Sequence, residues 1–272
     1  MALADRFDGL LVDLDGVVWV GREPVPGSPQ TLRALIEAGK GIVFVTNNPG
    51  KLPSVYAERL GELGVEVGAE RIVTAGVAVA RLAGEAASGG GVFVIGGAPL
   101  KEMVAATGAR LLDGEAAWEA KAVVVSGHRG FDYEELVIAK RALERGAALF
   151  ATSHDPTMPY PGGELPGTGA VLAAVETASG RRAEIAGKPE RHLFETAREA
   201  LRGSFCTDGV QKEPRDARVA MVGDRVSSDI AGGKAAGLET VLVLSGTTTR
   251  EQAEAADPAP DFVLEDLSGL LA

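Results

Sequence analysis

The sequence of 272 residues holds one cysteine, Cys206. A lone thiol forms no intramolecular disulfide and no thiolate metal cluster, which fits a reducing compartment, and Cys206 reads as a small apolar residue or an inert thiol. No stretch approaches the ~20 consecutive apolar residues of a membrane span, so no membrane association is expected. The opening segment, Met1 to Asp8, lacks the basic start and unbroken apolar run of a signal peptide, and a cytoplasmic protein is expected. Positive charge is also short, with 27 Lys and Arg against 38 Asp and Glu and a formal net charge of -11. Nucleic-acid binders concentrate Lys and Arg to displace phosphate counterions, so this balance argues against a nucleic-acid partner. A small phosphorylated molecule is still admissible, provided that a bound metal or a placed lysine draws it in against the overall field. Finally, no strand-like run leads into Gly-x-Gly-x-x-Gly at a helix start and there is no P-loop, which sets aside a dinucleotide-binding oxidoreductase.

What is present suffices for a substantial core. The chain is 46% hydrophobic, and its 36 Gly and 14 Pro stay below the ~25% at which low-complexity disorder becomes the better reading. Short runs rich in Val, Ile and Leu, at Gly9 to Asp15, Gly41 to Thr46, Arg218 to Gly223 and Thr240 to Leu244, read as strands buried on both faces. Helical patterns lie between them, at Ser28 to Ala38, Leu52 to Leu63, Glu190 to Leu201 and Asp229 to Ala236. Such alternation predicts an α/β fold with a doubly wound, Rossmann-like parallel sheet covered by helices.

The middle of the chain differs. After an Ala/Gly-rich stretch, Ala75 to Gly91, come further strand signals at Val92 to Ile95, Ala122 to Val125 and Ala148 to Thr152, with helical patterns at Leu100 to Thr107 and Tyr133 to Arg145. A smaller α/β unit over residues 78–182 is therefore expected, inserted into a core formed by residues 1–77 and 183–272, with hinges near Thr74 to Val77 and Gly180 to Ala186.

Four polar signatures close the apolar runs or open the segments after them: Asp13-Leu14-Asp15-Gly16, Thr46-Asn47-Asn48, Gly187-Lys188-Pro189, and Gly223-Asp224 with Asp229. Ligands of open α/β sheets bind at the carboxyl ends of strands, where these signatures fall. Each has an ordinary explanation: a turn at Asp15-Gly16, a helix cap at Thr46 to Pro49, an exposed turn lysine, and a turn acid followed by a first-turn acid. Aspartate is depleted inside strands, however, and alternation would put Asp13 and Asp15 on one side of an extended chain. Two carboxylates there repel unless a cation or a proton intervenes. A divalent cation on Asp13 and a proton on Asp15 would resolve the conflict and supply both a nucleophile and a general acid. A metal ligand in Asp224, an orienting acid in Asp229 and a phosphate-directed charge in Lys188 complete a set suited to phosphoryl transfer.

In this order, the four signatures resemble the motifs of the haloacid dehalogenase superfamily of phosphatases, over essentially the whole chain. Asp13 and Thr46 are 33 positions apart, too few for an inserted cap, whereas 142 positions separate Thr46 from Lys188. This spacing is similar to that of the C2-capped, NagD-like group that includes nitrophenylphosphatases and phosphoglycolate phosphatases, and the segment Ala231 to Gly246 fits it too. The resemblance implies a Mg²⁺-dependent phosphatase of small phosphomonoesters, with Asp13 forming an aspartyl-phosphate and Asp15 protonating the leaving oxygen. Mg²⁺ would be held by the carboxylates of Asp13 and Asp224 and the backbone carbonyl of Asp15, with Asp229 supporting that shell. Thr46 and the Asn47 backbone, next to Asn48, would hold phosphoryl oxygens, and Lys188 would offset the charge of nucleophile and phosphate.

The Pro/Gly-rich stretch from Thr152 to Gly169 is expected to be a long loop of the inserted unit, with His154 and Asp155 as candidates for substrate contact. Relatives commonly carry Asn at the Ser153 position and a Thr or Asp pattern at Ser227 and Ser228, departures that bear on specificity. The cap is also a surface through which a homodimer could form. His128 and His192 have neither metal-ligand spacing nor a partnered serine. Other readings are a non-catalytic phosphate or metal binder, a phosphoacceptor, a dehalogenase or a phosphonatase. A dehalogenase has no need of the second acid, Asp15, and no cap lysine suited to covalent chemistry is evident for a phosphonatase.

Overall fold

A computed structural model describes residues 2–160, 163–203 and 217–272; Cys206 lies outside the described residues. The chain divides into two compact units, one formed by residues 1–46, 53–73 and 188–272 and the other by residues 47–52 and 74–187.

The first unit is built on a six-stranded sheet in the order Phe262–Leu264, Glu239–Val243, Val219–Gly223, Gly9–Asp13, Gly41–Thr46, Ile72–Thr74. Gly9–Asp13 runs parallel to both of its neighbours, and the pairings out to Phe262–Leu264 are parallel as well. Alternate residues explain the two covered faces. Leu10, Val12, Ile42, Phe44, Ala220, Val222, Val241 and Val243 share one core with Phe7, Leu32, Leu35 and Leu60, while Leu11, Val43, Met221 and Leu242 are buried on the other side. At ~1.5–3 kcal/mol for each fully buried large aliphatic side chain, two covered faces keep this register from slipping. From Gly9–Asp13 the chain first builds toward Ile72–Thr74 and later returns on the other side with Val219–Gly223, so the direction of winding reverses beside Asp13.

The strand expected over Gly9 to Asp15 ends at Asp13. Gly16 adopts φ +88°, and the chain folds back so that Val18 N–H donates to Leu14 C=O at 2.9 Å and Gly16 N–H to Trp19 C=O at 2.7 Å. A two-stranded hairpin, Trp19–Val20 with Glu23–Pro24, follows. The extended alternation expected through Asp15 is thus broken at Leu14.

The helix expected over Leu52 to Leu63 spans Pro53–Glu62, so it opens beyond Thr46 to Pro49 and that segment is not its cap. Asn48 Oδ1 accepts from Gly50 N–H at 2.9 Å, a side-chain turn that competes with helix initiation.

The second unit carries a parallel sheet in the order Glu184–Ile185, Ala148–Ala151, Ala122–Val125, Gly91–Ile95, Arg110–Leu111. Its core gathers Phe93, Ile95, Val123, Val125, Ile138, Leu143, Leu149 and Leu172. The Ala/Gly-rich stretch forms the helix Ala75–Ala87, capped by Thr74 Oγ1 on Val77 N–H at 3.1 Å. Ala75, Gly76, Ala78, Ala80, Ala83 and Ala87 lie buried along it, the composition of a closely packed helix. The expected long loop is instead an antiparallel hairpin, Thr157–Tyr160 with Gly163–Pro166, followed by the helix Thr168–Ser179. Among the described residues, no helix is long and apolar enough to cross a membrane.

Candidate active site

Sheet register brings the signatures of the first unit to one edge. Val12 pairs with Val222 and Asp13 with Val45. Thr46 therefore lies one residue beyond Asp13 on one neighbouring strand, and Asp224 just past the end of the other. Lys188 precedes the helix Arg191–Arg202, which packs its Leu193, Phe194, Ala197 and Leu201 into the core. Asp229 sits in a π-helical turn, Val226–Ile230, that leads into the helix Ala231–Ala235.

The result is a buried charge cluster. Lys188 Nζ lies 2.9 Å from Asp13 Oδ1 and 2.6 Å from Asp229 Oδ1, and one carboxylate oxygen each from Asp13, Asp224 and Asp229 lie within 4.8 Å of one another. All four residues are buried. Three carboxylates facing one ammonium leave two formal negative charges without a partner, the charge that one divalent cation would offset.

Each carboxylate is held differently. Asp13 Oδ1 also accepts from Leu14 N–H at 2.9 Å, so both contacts fall on one oxygen. Asp229 uses both of its oxygens, one on Lys188 and the other on Arg225 N–H at 3.0 Å. Asp224 Oδ2 accepts from Thr247 N–H at 2.7 Å, but its buried Oδ1 has no hydrogen-bond partner. A buried, unpartnered carboxylate oxygen beside two further carboxylates suits a hard cation with oxygen ligands. The fit is close, since a Cβ added at Gly16 or Gly246 would overlap the Asp224 carboxylate, and one at Gly223 would overlap Asp229.

Burial pushes the Asp13 carboxyl up to about 8; the Lys188 ammonium pulls it down, while Asp229 and Asp224 push it further up. Burial and then Asp229 raise Asp224 as well. For Lys188, burial favours the neutral amine, but the carboxylates of Asp13 and Asp229 outweigh it and raise the group above the ordinary lysine range. The metal-free cluster therefore keeps its lysine charged and holds a proton among its acids.

Asp15 stands apart from this cluster. It is exposed, and its Oδ1 accepts from the indole N–H of Trp19 at 3.0 Å. Tyr56 lies near enough that burial, then the Asp15 and Asp13 charges, raise its phenol against the pull of Arg59.

The remaining candidates, Asn47, Asn48, His154 and Asp155, belong to the second unit. His154 and Asp155 are exposed, and their backbone is firmly seated: Gly169 N–H donates to Asp155 C=O at 2.8 Å. A Cβ at Gly169 or Gly167 would meet the carbonyls of His154 and Asp155, respectively. Thr152 Oγ1 joins Ser126 at 3.1 Å and Thr168 at 3.2 Å beneath this turn. His128 pairs with Glu135 at 2.9 Å and belongs to no metal-ligating cluster among the described residues.

Sequence reasoning missed Thr247 and Gly246, which hold Asp224 in place, and the Trp19 contact to Asp15. The Ser-Gly-Thr after the strand Glu239–Val243 was the available signal for the first pair. Nothing in the pattern announced the second.

Comparison with known proteins fits this geometry. The family model for haloacid dehalogenase-like hydrolases matches residues 10–110, and a second model of the same class matches residues 185–270. Chronophin of Mus musculus is 37% identical, over 97% of this chain and 91% of its own. The p-nitrophenyl phosphatase from Archaeoglobus fulgidus superposes with a TM-score of 0.84 at 33% identity, covering 97% of this chain and 98% of its own. The glycerol phosphate phosphatase from Mycobacterium tuberculosis, solved in complex with magnesium, gives 0.86 at 34% identity over 100% of this chain and 78% of its own. The chain belongs to the haloacid dehalogenase-like hydrolase family, among its phosphatases.

Proposed function

We propose that this chain hydrolyses a small phosphomonoester through an aspartyl-phosphate on Asp13, with Mg²⁺ as cofactor. The observation that carries the reading is the contrast between the two acids of the first signature. Asp13 is buried with an ammonium at 2.9 Å, whereas Asp15 is exposed and outside the carboxylate cluster. One is suited to attack phosphorus, the other to exchange a proton with a leaving group.

In this reading, the carboxylates of Asp13 and Asp224 and the backbone carbonyl of Asp15 would hold Mg²⁺, which would supply Lewis-acid stabilisation of phosphoryl charge. Lys188 offsets charge on Asp13 and on the phosphoryl oxygens, and its second contact, Asp229, holds its ammonium in place. Thr46 and the Asn47 backbone take up phosphoryl oxygens. A carboxylate oxygen of Asp13 forms the new bond to phosphorus while Asp15 protonates the departing alcohol. Asp15 then accepts the proton of the water that cleaves the acyl phosphate.

The second unit, residues 78–182 in its essential part, would select the ester, with the seated turn at His154 and Asp155 as its contact. A small metabolite fits the names of the relatives, one acting on glycerol phosphate and one on p-nitrophenyl phosphate. A cytoplasmic location is part of the same proposal and agrees with the single cysteine.

The test is phosphate release from a panel of small phosphomonoesters, with Mg²⁺ and with chelator, for the wild type and Asp13→Asn. The reading expects metal-dependent release that falls at least ~10³-fold in the variant while its fold is kept. Release that persists in Asp13→Asn would overturn it, and no release from any ester would move weight to a binding role.

A further inference from the structure

The reading of Asp15 as the general acid leaves one question open: what holds an exposed carboxyl in a productive orientation? A free aspartate samples several rotamers, and a proton donor that wanders loses much of its catalytic advantage. The indole of Trp19 answers this. It is 1% exposed, and its N–H donates to Asp15 Oδ1 at 3.0 Å.

The donor is itself fixed from three sides. Its backbone is bound into the turn, with Trp19 N–H on Leu14 C=O at 3.3 Å and Trp19 C=O on Gly16 N–H. It is the first residue of the hairpin and stands opposite Pro24. The Arg59 guanidinium lies 3.9 Å from the ring centroid, and Arg59 Nη2 is held by Gly21 C=O at 2.7 Å. Arg59 thus ties the outer hairpin to the helix Pro53–Glu62 across the face of the indole.

We propose that Trp19 is the positioning residue for Asp15, with Arg59 as its clamp: the indole N–H binds Oδ1, so the proton delivered to the leaving group sits on Oδ2. The better acceptor of a carboxylic acid is its carbonyl oxygen, and a donor committed to Oδ1 leaves the hydroxyl at Oδ2. In the step served, the bond from Asp13 to phosphorus forms as the ester P–O bond breaks. The electron pair of that bond goes to the ester oxygen, which takes the proton from Asp15 Oδ2. The alcohol departs neutral and Asp15 is left as a carboxylate. The competing explanation is that the contact merely satisfies a buried indole.

This inference rests on the general-acid role of Asp15, and the experiment separates the two. Trp19→Phe, Arg59→Met and Asp15→Asn are compared with the wild type on glycerol phosphate, whose alkoxide leaving group needs a proton, and on nitrophenyl phosphate, which needs little help. For Trp19→Phe, kcat/KM on glycerol phosphate should fall about 10-fold or more, within the range of a general-acid contribution, with kcat/KM on nitrophenyl phosphate within about twofold, because this ratio covers the steps through alcohol departure and not the later hydrolysis that both esters share. Arg59→Met should show the same selectivity at smaller size.

Selective loss in Asp15→Asn without selective loss in Trp19→Phe overturns the Trp19 role and leaves the acid intact. Equal losses of kcat/KM on both esters in Asp15→Asn overturn the acid itself, and the inference with it. A readout without turnover completes the test and serves if Trp19→Phe does not fold. The two indole N–H resonances of ¹⁵N-labelled, magnesium-free protein, Trp19 and Trp118, are assigned by elimination in Trp118→Phe. The Trp19 signal should move upfield in Asp15→Ala while Trp118 stays; a stationary Trp19 signal overturns the contact.

Discussion

Lys188 Nζ and Asp229 Oδ1 lie 2.6 Å apart, both buried, at positions 41 residues apart in the chain. The same ammonium reaches Asp13 at 2.9 Å, so one charge joins the strand that ends in Asp13 to the turn that follows the strand Val219–Gly223. Removing it leaves two buried carboxylates facing each other. We expect Lys188→Met to destabilise the magnesium-free protein by ~3–5 kcal/mol, the usual cost of breaking a buried pair from one side. Urea denaturation checks this. Saturating Mg²⁺ should recover part of the loss without restoring turnover, because a cation can offset the carboxylates but cannot replace the amine at the phosphoryl group. A loss below ~1 kcal/mol would show that the pair is not the buried junction described.

Dependence on pH follows from the same cluster. Burial raises Asp13 to about 8 and moves Asp224 in the same direction. An acid whose folded pKa exceeds its unfolded value binds more protons when folded. Its stabilising share is complete below the unfolded value near 3.8 and is lost as pH rises toward about 8. Lys188 is raised above the ordinary lysine range, so its contribution is constant through that window. Thermal melts of magnesium-free protein should therefore show this site's contribution declining from pH 4 to pH 8. The rise in Tm on adding Mg²⁺ should grow over the same interval, as the metal displaces a proton. A Mg²⁺ shift that is equal at pH 5 and pH 8 would contradict a proton held among the acids.

How much of this was legible beforehand depends on what a pattern can encode. The strands ending at Asp13, Thr46 and Gly223 were visible because runs buried on both faces are continuously apolar, and an aspartate closing such a run is costly without a partner. The union of Asp13, Lys188, Asp224 and Asp229 at one edge followed from strand order. That the strand stops at Asp13 was not visible, since Leu14 and Val17 continue the apolar pattern; the turn read at Asp15-Gly16 is where the positive φ of Gly16 bends the chain. The helix Ala75–Ala87 was legible only as an Ala/Gly-rich stretch, because small residues pack as well as they loosen. The contacts from Trp19 to Asp15 and from Thr247 to Asp224 depend on where turns return in space, which local periodicity does not carry.

Asp224 and Asp229 are separated by five positions and by their tasks, and paired amide substitutions should show it. Asp229 spends both oxygens inside the protein, on Lys188 and on Arg225 N–H. Asp229→Asn would turn an NH₂ toward one of two donors, and the structure should pay about 2 kcal/mol or more in stability. Asp224 has one oxygen on Thr247 N–H, which an Asn carbonyl can retain, and one buried oxygen with no partner. Asp224→Asn removes a charge that burial already disfavours, so the metal-free protein should lose less than ~1 kcal/mol or gain stability. Its affinity for Mg²⁺, followed by titration calorimetry, should nonetheless fall ~100-fold or more, because a carboxylate ligand to a hard cation has become a neutral amide. The two variants should thus move in opposite order on the two measurements: Asp229→Asn the less stable without metal, Asp224→Asn the weaker for metal. The same order on both would mean that the two acids share one role.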